Sequence, residues 1–218
     1  MTTESTIEPR RYTRGEELAN MFTHAFGAVL SLAGVIVLLI AANATGFPYA
    51  LSSCAIYGVT LILLYSASTL YHSDPRPHLR TLDHIAIFLL IAGTYTPFVL
   101  ITLRGGWGWS LFALTWSLAL LGVILELTSL RRYRGAMVLL YIAMGWVGLV
   151  ALKPLVAALP SPGLWLLFGG GAAYTLGVIF YRMHGVRYHH AVWHLFVLGG
   201  SVLQYFAVLF YVLPTTPA

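Results

Sequence analysis

The chain has 218 residues, of which 59% are apolar and only 9% are charged, a balance that no soluble domain of this length can cover with a hydrated surface. Much of its solvent is therefore lipid. The net charge of +5 does not point to nucleic acid, because the basic residues sit in short segments beside apolar runs and form no stripe of their own.

The chain opens with a polar segment, residues 1–17, that carries Arg10, Arg11 and Arg14. Ala42-Asn43-Ala44 loosely imitates a signal-peptidase site. The apolar run before it, 18–42, is longer than the roughly 7–15 residues of a secretory signal, so it reads as a first membrane span. Apolar runs bounded by polar or Pro/Gly breaks predict seven spans, near 20–42, 49–71, 83–103, 109–128, 135–152, 163–181 and 190–212. The breaks include Gly46-Phe47-Pro48, Ser73 to Pro77, Arg104 to Gly108, Arg131 to Arg134, Pro154 to Pro162 and Arg182 to His189. The expected architecture is all-α: one seven-helix transmembrane domain over 18–213 and a short tail, 214–218. Each crossing needs about 20 residues, so the connections are short and neighbouring helices run antiparallel.

Basic residues near span ends stay on the cytoplasmic side. Connections on the N-terminal side carry Arg10, Arg11, Arg14, Arg76, Arg80, Arg131, Arg132, Arg134, Arg182 and Arg187, and the opposite side carries only Arg104 and Lys153. The N-terminus is therefore expected inside and the C-terminus outside. Gly145-x-x-Gly148, Gly169-Gly170-Gly171 and Gly199-Gly200-Ser201 supply small residues for close helix packing. Pro97 is expected to kink the third span, with Thr94 and Thr96 placed to satisfy the loosened backbone. Trp107, Trp109 and Trp165 fall near expected outer boundaries, where aromatic belts form. Cys54, the single cysteine, lies in an apolar run and is expected to be an inert buried thiol.

Ionisable groups at membrane depth are costly and by default mark function. His72 ends the second span, Asp83 and His84 open the third, and His190 and His194 open the seventh, all at the N-terminal side of the bundle. His190 and His194 stand one helical turn apart on one face and can chelate one ion together. Ser68 and His72 share that spacing. Three neutral imidazoles and a water make a tetrahedral zinc site with an open position, the form expected of a catalytic centre. Asp83 is placed to accept a proton from the water, and Ser68 to hold it or steady an oxyanion. Each residue taken alone has an ordinary alternative: His72 as an interfacial side chain, Ser68 as a packing hydroxyl, Asp83 as a helix cap or a partner of Arg80. The combination carries the reading.

His84 and His189 lie about 100° off the faces used by Asp83 and by the His190/His194 pair, which suits supporting or solvent-facing roles. His78 and His184 fall in expected loops. His24 opens the first span and could line the vestibule or simply sit at the interface. Glu126 is expected to pair with Arg131 or Arg132.

The sequence resembles the hemolysin III proteins, the bacterial branch of the progestin and adipoQ receptor family, along nearly its whole length. The resemblance rests on Glu16-Glu17-Leu18-Ala19-Asn20 with Thr23-His24 and Gly27, on Ser68-Thr69-Leu70-Tyr71-His72, on Asp83-His84, on Gly93-Thr94-Tyr95-Thr96-Pro97-Phe98, and on His190-Ala191-Val192-Trp193-His194. It implies a seven-helix fold with an inside N-terminus and a zinc ion near the cytoplasmic face. By similarity to the wider superfamily, which includes alkaline ceramidases, zinc would be held by His72, His190 and His194, with Ser68 and Asp83 around its water.

The resulting expectation is a zinc-dependent plasma-membrane hydrolase of a lipid amide or related acyl bond, with a membrane lipid as substrate. The alternative is a non-enzymatic sensor, a modulator of membrane energetics or a pore-forming hemolysin, in which zinc only staples helices together.

Overall fold

The structure, a computed structural model, describes residues 12–214. Among them there is no strand, and seven helical stretches are long and apolar enough to cross a membrane. The helices are α1 (Arg14–Thr45), α2 (Ala50–Ser73), α3 (Pro77–Pro97), α4 (Gly105–Leu127), α5 (Arg134–Trp146), α6 (Leu152–Ala158), α7 (Ser161–Arg182) and α8 (His189–Ala207). A 3-10 segment, Val147–Ala151, joins α5 to α6 into one fifth span. Pro154 therefore lies inside that span and not in the break expected from 154 to 162. It is the third residue of α6, within the first turn, where a missing N–H leaves no intrahelical bond unmade.

Six of the seven spans start earlier than the apolar runs suggest, the first and third by six residues each. α1 begins at Arg14 through a reciprocal cap: Glu16 N–H donates to Thr13 Oγ1 (3.3 Å) and Thr13 N–H donates to Glu16 Oε2 (2.9 Å). The added turns carry Glu17 into the bundle, one turn ahead of Asn20. α3 begins at Pro77, a residue suited to a first helical position, so His78 sits in its first turn and Asp83 nearly two turns in. α8 begins one residue early, at His189.

The third span changes at Pro97 from α-helix to a π-helix, Phe98–Leu103. The ring removes one backbone donor, and Thr94 and Thr96 donate their hydroxyls to the Leu90 (2.7 Å) and Ala92 (2.9 Å) carbonyls just upstream. The turn beyond it is closed by Arg104, whose Nε donates to Ile101 O (2.6 Å) and whose guanidinium lies 3.9 Å over the Phe47 ring.

α2 and α3 are the most enclosed spans, and the fifth and sixth are mostly lipid-facing. Leu61, Leu64, Tyr65, Leu90 and Val197 join α2, α3 and α8 in the main core. Close approach of α1 to α2 depends on Gly27: a Cβ there would stand 2.5 Å from the Tyr65 ring. Of the expected packing glycines, Gly148, Gly170 and Gly200 do lie against neighbouring side chains, whereas Gly145 and Gly199 have nothing within 4 Å of an added Cβ. Cys54 is buried and unbonded among the described residues. Trp165 is 79% exposed and Trp107 and Trp109 are half exposed, as an interfacial belt requires.

Glu126 does not pair with Arg131 or Arg132. Those two follow α4 on an exposed 3-10 turn, where Arg131 reaches Thr81 and Arg132 reaches Tyr133. The buried Glu126 carboxylate instead receives Arg134 Nη1 at 3.0 and 3.1 Å, and His84 Nδ1 lies 3.1 Å from it. This cluster ties α3, α4 and α5 together beside the site. Arg134→Ala would leave a buried carboxylate with His84 alone. We expect a loss of about 2 kcal/mol, below the roughly 3–5 kcal/mol of a fully enclosed pair because Arg134 is 30% exposed. Thermal unfolding in detergent reads it: the single variant should melt several degrees lower, and Glu126→Met/Arg134→Met should recover most of the loss. A double variant as unstable as the single one would contradict this account.

Candidate metal centre

α2 ends and α8 begins at the same end of the bundle, which brings His72 beside His190 and His194. Ring centroids stand 5.0 Å apart for His72 with either partner and 4.6 Å for His190 with His194. One ligand-capable nitrogen from each lies within 4.8 Å of the other two. All three residues are buried. The i, i+4 spacing on α8 supplies two of the rings, and the last turn of α2 supplies the third.

The hydrogen bonds around these rings decide which nitrogens are presented. His72 Nδ1 lies 2.6 Å from Glu17 Oε2, and His194 Nδ1 lies 3.1 Å from both the Asn20 carbonyl and Thr23 Oγ1. A carboxylate and a carbonyl only accept, so Nδ1 carries the proton in each ring and Nε2 offers its lone pair. Both Nε2 atoms, and Nδ1 of His190, are buried with no hydrogen-bond partner. Three buried rings that bring one nitrogen each within 4.8 Å suit a metal ion, and unpartnered buried nitrogens would otherwise be left at a cost.

Glu17 and the Asn20 carbonyl thus stand behind two of the rings as the outer partners that metal-binding histidines use. Neither was singled out for that role from the sequence, although Thr13-x-x-Glu16 is a capping signature that starts α1 early enough to deliver both. Glu17→Ala should weaken metal binding by about 10–100-fold, and Glu17→Gln, which keeps a carbonyl acceptor, by less. Competition with a zinc-responsive chelator dye measures it; equal affinities for wild type and Glu17→Ala would remove Glu17 from the site.

Asp83 and Ser68 lie close by. The Asp83 carboxylate is buried and sits in the field of His84 and His72. The Ser68 hydroxyl acts on it without making a hydrogen bond of adequate geometry, and no other described residue bonds that hydroxyl. His189 turns away: its Nδ1 meets the Phe180 carbonyl at 3.0 Å, anchoring the end of α7. His84 turns to Glu126 and Arg134. His24 is buried and lies flat on His194, centroids 3.6 Å apart and planes 13° from parallel.

A cavity of about 130 Å³ adjoins this cluster, with His24 and Asp83 among its polar lining and Leu64, Ile87, Leu90, Ile91 and Val197 among its apolar lining. A second, of about 60 Å³, continues it past Thr94, Tyr95 and Gln204, which line both.

The profile of the haemolysin-III related family matches residues 12–205. The chain belongs to that family. It is 50% identical over 204 residues to hemolysin-3 of Bacillus cereus, covering 92% of this chain and 93% of that protein. It is 44% identical over 204 residues to a hemolysin-3 homolog of Bacillus subtilis (strain 168), with 92% and 96% covered. A more distant similarity, 29% over 203 residues, links this haemolysin III protein to the human monocyte to macrophage differentiation factor, over 88% of the chain and 83% of that protein. The matched region contains every residue of the histidine cluster and both of its supporting groups on α1.

Proposed function

We propose that this haemolysin III protein is a zinc-dependent membrane hydrolase of a long-chain amide or related acyl bond, working at the cytoplasmic face of the plasma membrane. The observation that carries the reading is the convergence of one ring nitrogen from each of three buried histidines within 4.8 Å, beside a largely apolar cavity that Asp83 and His24 line. His72, His190 and His194 would hold the ion. Bound there, zinc would polarise an acyl carbonyl and make a water acidic enough to act near neutral pH.

The rest is work for the chain's own side chains. The Asp83 carboxylate takes a proton from the attacking water and returns it to the departing amine or alcohol. Ser68 donates its hydroxyl to the oxygen that gains charge. Leu64, Ile87, Leu90 and Ile91 receive the start of the acyl chain and keep bulk water out. The charge asymmetry, ten Lys/Arg residues against two, supports a cytoplasmic N-terminus and so a cytoplasmic site.

The test is direct. Protein purified in detergent should carry about one zinc per chain and release free fatty acid from a panel of long-chain amides and esters. Zinc-replete protein inert toward the whole panel would refute the hydrolase. The names of the two Bacillus relatives favour a second reading, membrane lysis with a structural metal. Dye leakage from liposomes that persists in an Asp83→Asn protein would support that reading instead.

A further inference from the structure

The first helix contributes a residue that neither the metal cluster nor the Asp83/Ser68 pair accounts for. His24 is 2% exposed, yet both of its ring nitrogens lack a hydrogen-bond partner. The backbone of His194 acts on the ring without making a hydrogen bond of adequate geometry to either nitrogen. An imidazole always has at least one N–H to place, and leaving it unmet in the interior is costly. The residue is also held firmly. One face lies on His194 at 3.6 Å, and Tyr65 meets the ring edge-on at 5.1 Å. Tyr65 is itself fixed by its hydroxyl bond to Ser201 (2.7 Å) and by the bare flank of Gly27.

His24 lines the larger cavity together with Asp83. The other polar groups around that cavity are mostly committed. Thr94 donates to Leu90 O, Tyr95 to Gly145 O, Thr175 to Gly171 O, and the Tyr174 hydroxyl is bonded to Ser201. The cavity thus has an apolar body, and its polar lining includes the unpartnered His24 imidazole, the Asp83 carboxylate and the Gln204 amide. A volume of about 130 Å³ equals the share of about four waters at about 30 Å³ each, room for the head of a ligand and the first carbons of its chain. The complementary guest is a chain-like apolar molecule with a neutral carbonyl at its tip.

We propose that His24 is a ligand-contacting residue, whose ring N–H donates to the carbonyl oxygen of a long-chain acyl compound seated in this cavity. This rests on the reading of the site as one for lipid acyl compounds, and it adds a contact from the first helix, outside the metal-holding set. His24 therefore sets affinity for the carbonyl while contributing nothing to metal retention.

The experiment uses the full-length, zinc-loaded chain in nanodiscs, titrated with radiolabelled oleamide, alongside zinc content per chain. His24→Phe keeps a flat ring against His194 and removes both nitrogens; His24→Gln restores a donor. Expected are unchanged zinc in both variants, oleamide binding about tenfold weaker in His24→Phe, in keeping with loss of one buried hydrogen bond, and recovery to within about threefold in His24→Gln. Equal binding by His24→Phe and wild type, no gain from glutamine over phenylalanine, or zinc lost from both variants would each overturn the proposal. The two readings separate cleanly. Wild type that binds oleamide but never cleaves an acyl bond refutes the hydrolase and leaves the His24 contact standing, whereas wild type that fails to bind oleamide refutes the contact whatever its hydrolytic activity.

Discussion

Asp83→Asn is expected to lower acyl-bond hydrolysis by about 10²–10⁴-fold while zinc stays at about one per chain. The substitution keeps the size and most of the polarity of the side chain but removes its ability to take a proton. The carboxylate is enclosed, near His72 and Ser68 and facing the cavity, so no neighbouring acid replaces it: Glu126 is bound to Arg134 and His84, and Glu17 to His72. The paired readout matters. Turnover and zinc lost together would place Asp83 on the metal as a fourth ligand and favour a closed structural site. Turnover unchanged would end the case for Asp83 as the base.

His194→Ala is expected to empty the site. It removes one of three convergent nitrogens and also the ring that His24 lies on and that the Asn20 carbonyl orients. Metal affinity should fall by about 100-fold or more, at or beyond the upper end of what losing an outer partner costs. His189→Ala is the matched control. It alters a neighbouring residue on the same helix whose Nδ1 faces the Phe180 carbonyl, and zinc should be retained. Heating adds an independent measure, because an ion that binds only the folded chain stabilises it by about 2.7 kcal/mol at a hundredfold excess over Kd. Added zinc should therefore raise the melting temperature of wild type and His189→Ala, and leave that of His194→Ala where it was. A His194→Ala protein with full zinc would show that the three rings do not share an ion.

The membrane architecture was legible because lipid demands long apolar runs, and seven of them stand between short polar breaks. The histidine cluster was legible for a related reason: equal depth in the second and seventh spans, with His190 and His194 one turn apart, restricts where rings can point. Helix starts were harder to read. The polar first turns of α1 and α3 interrupt the apolar pattern, so 20 and 83 stood in for Arg14 and Pro77. Glu17 was hidden by that same boundary, although its capping neighbour Glu16 signalled the helix. The Glu126–Arg134 pair escaped because sequence proximity favoured Arg131 and Arg132, which the 3-10 turn swings outward. The stacking of His24 on His194 joins the two ends of the chain, a contact that no local pattern encodes.

The bonds from α1 to the rings of α2 and α8 have a consequence for biosynthesis. The first and second spans leave the ribosome early and can pair at once, with Glu17 already holding His72. The other two rings arrive with the last span, and the Asn20 carbonyl waits for His194 until then. A nascent polypeptide that lacks the seventh span therefore has one of the three clustered imidazoles, and the cluster that could hold an ion forms only once that span is made.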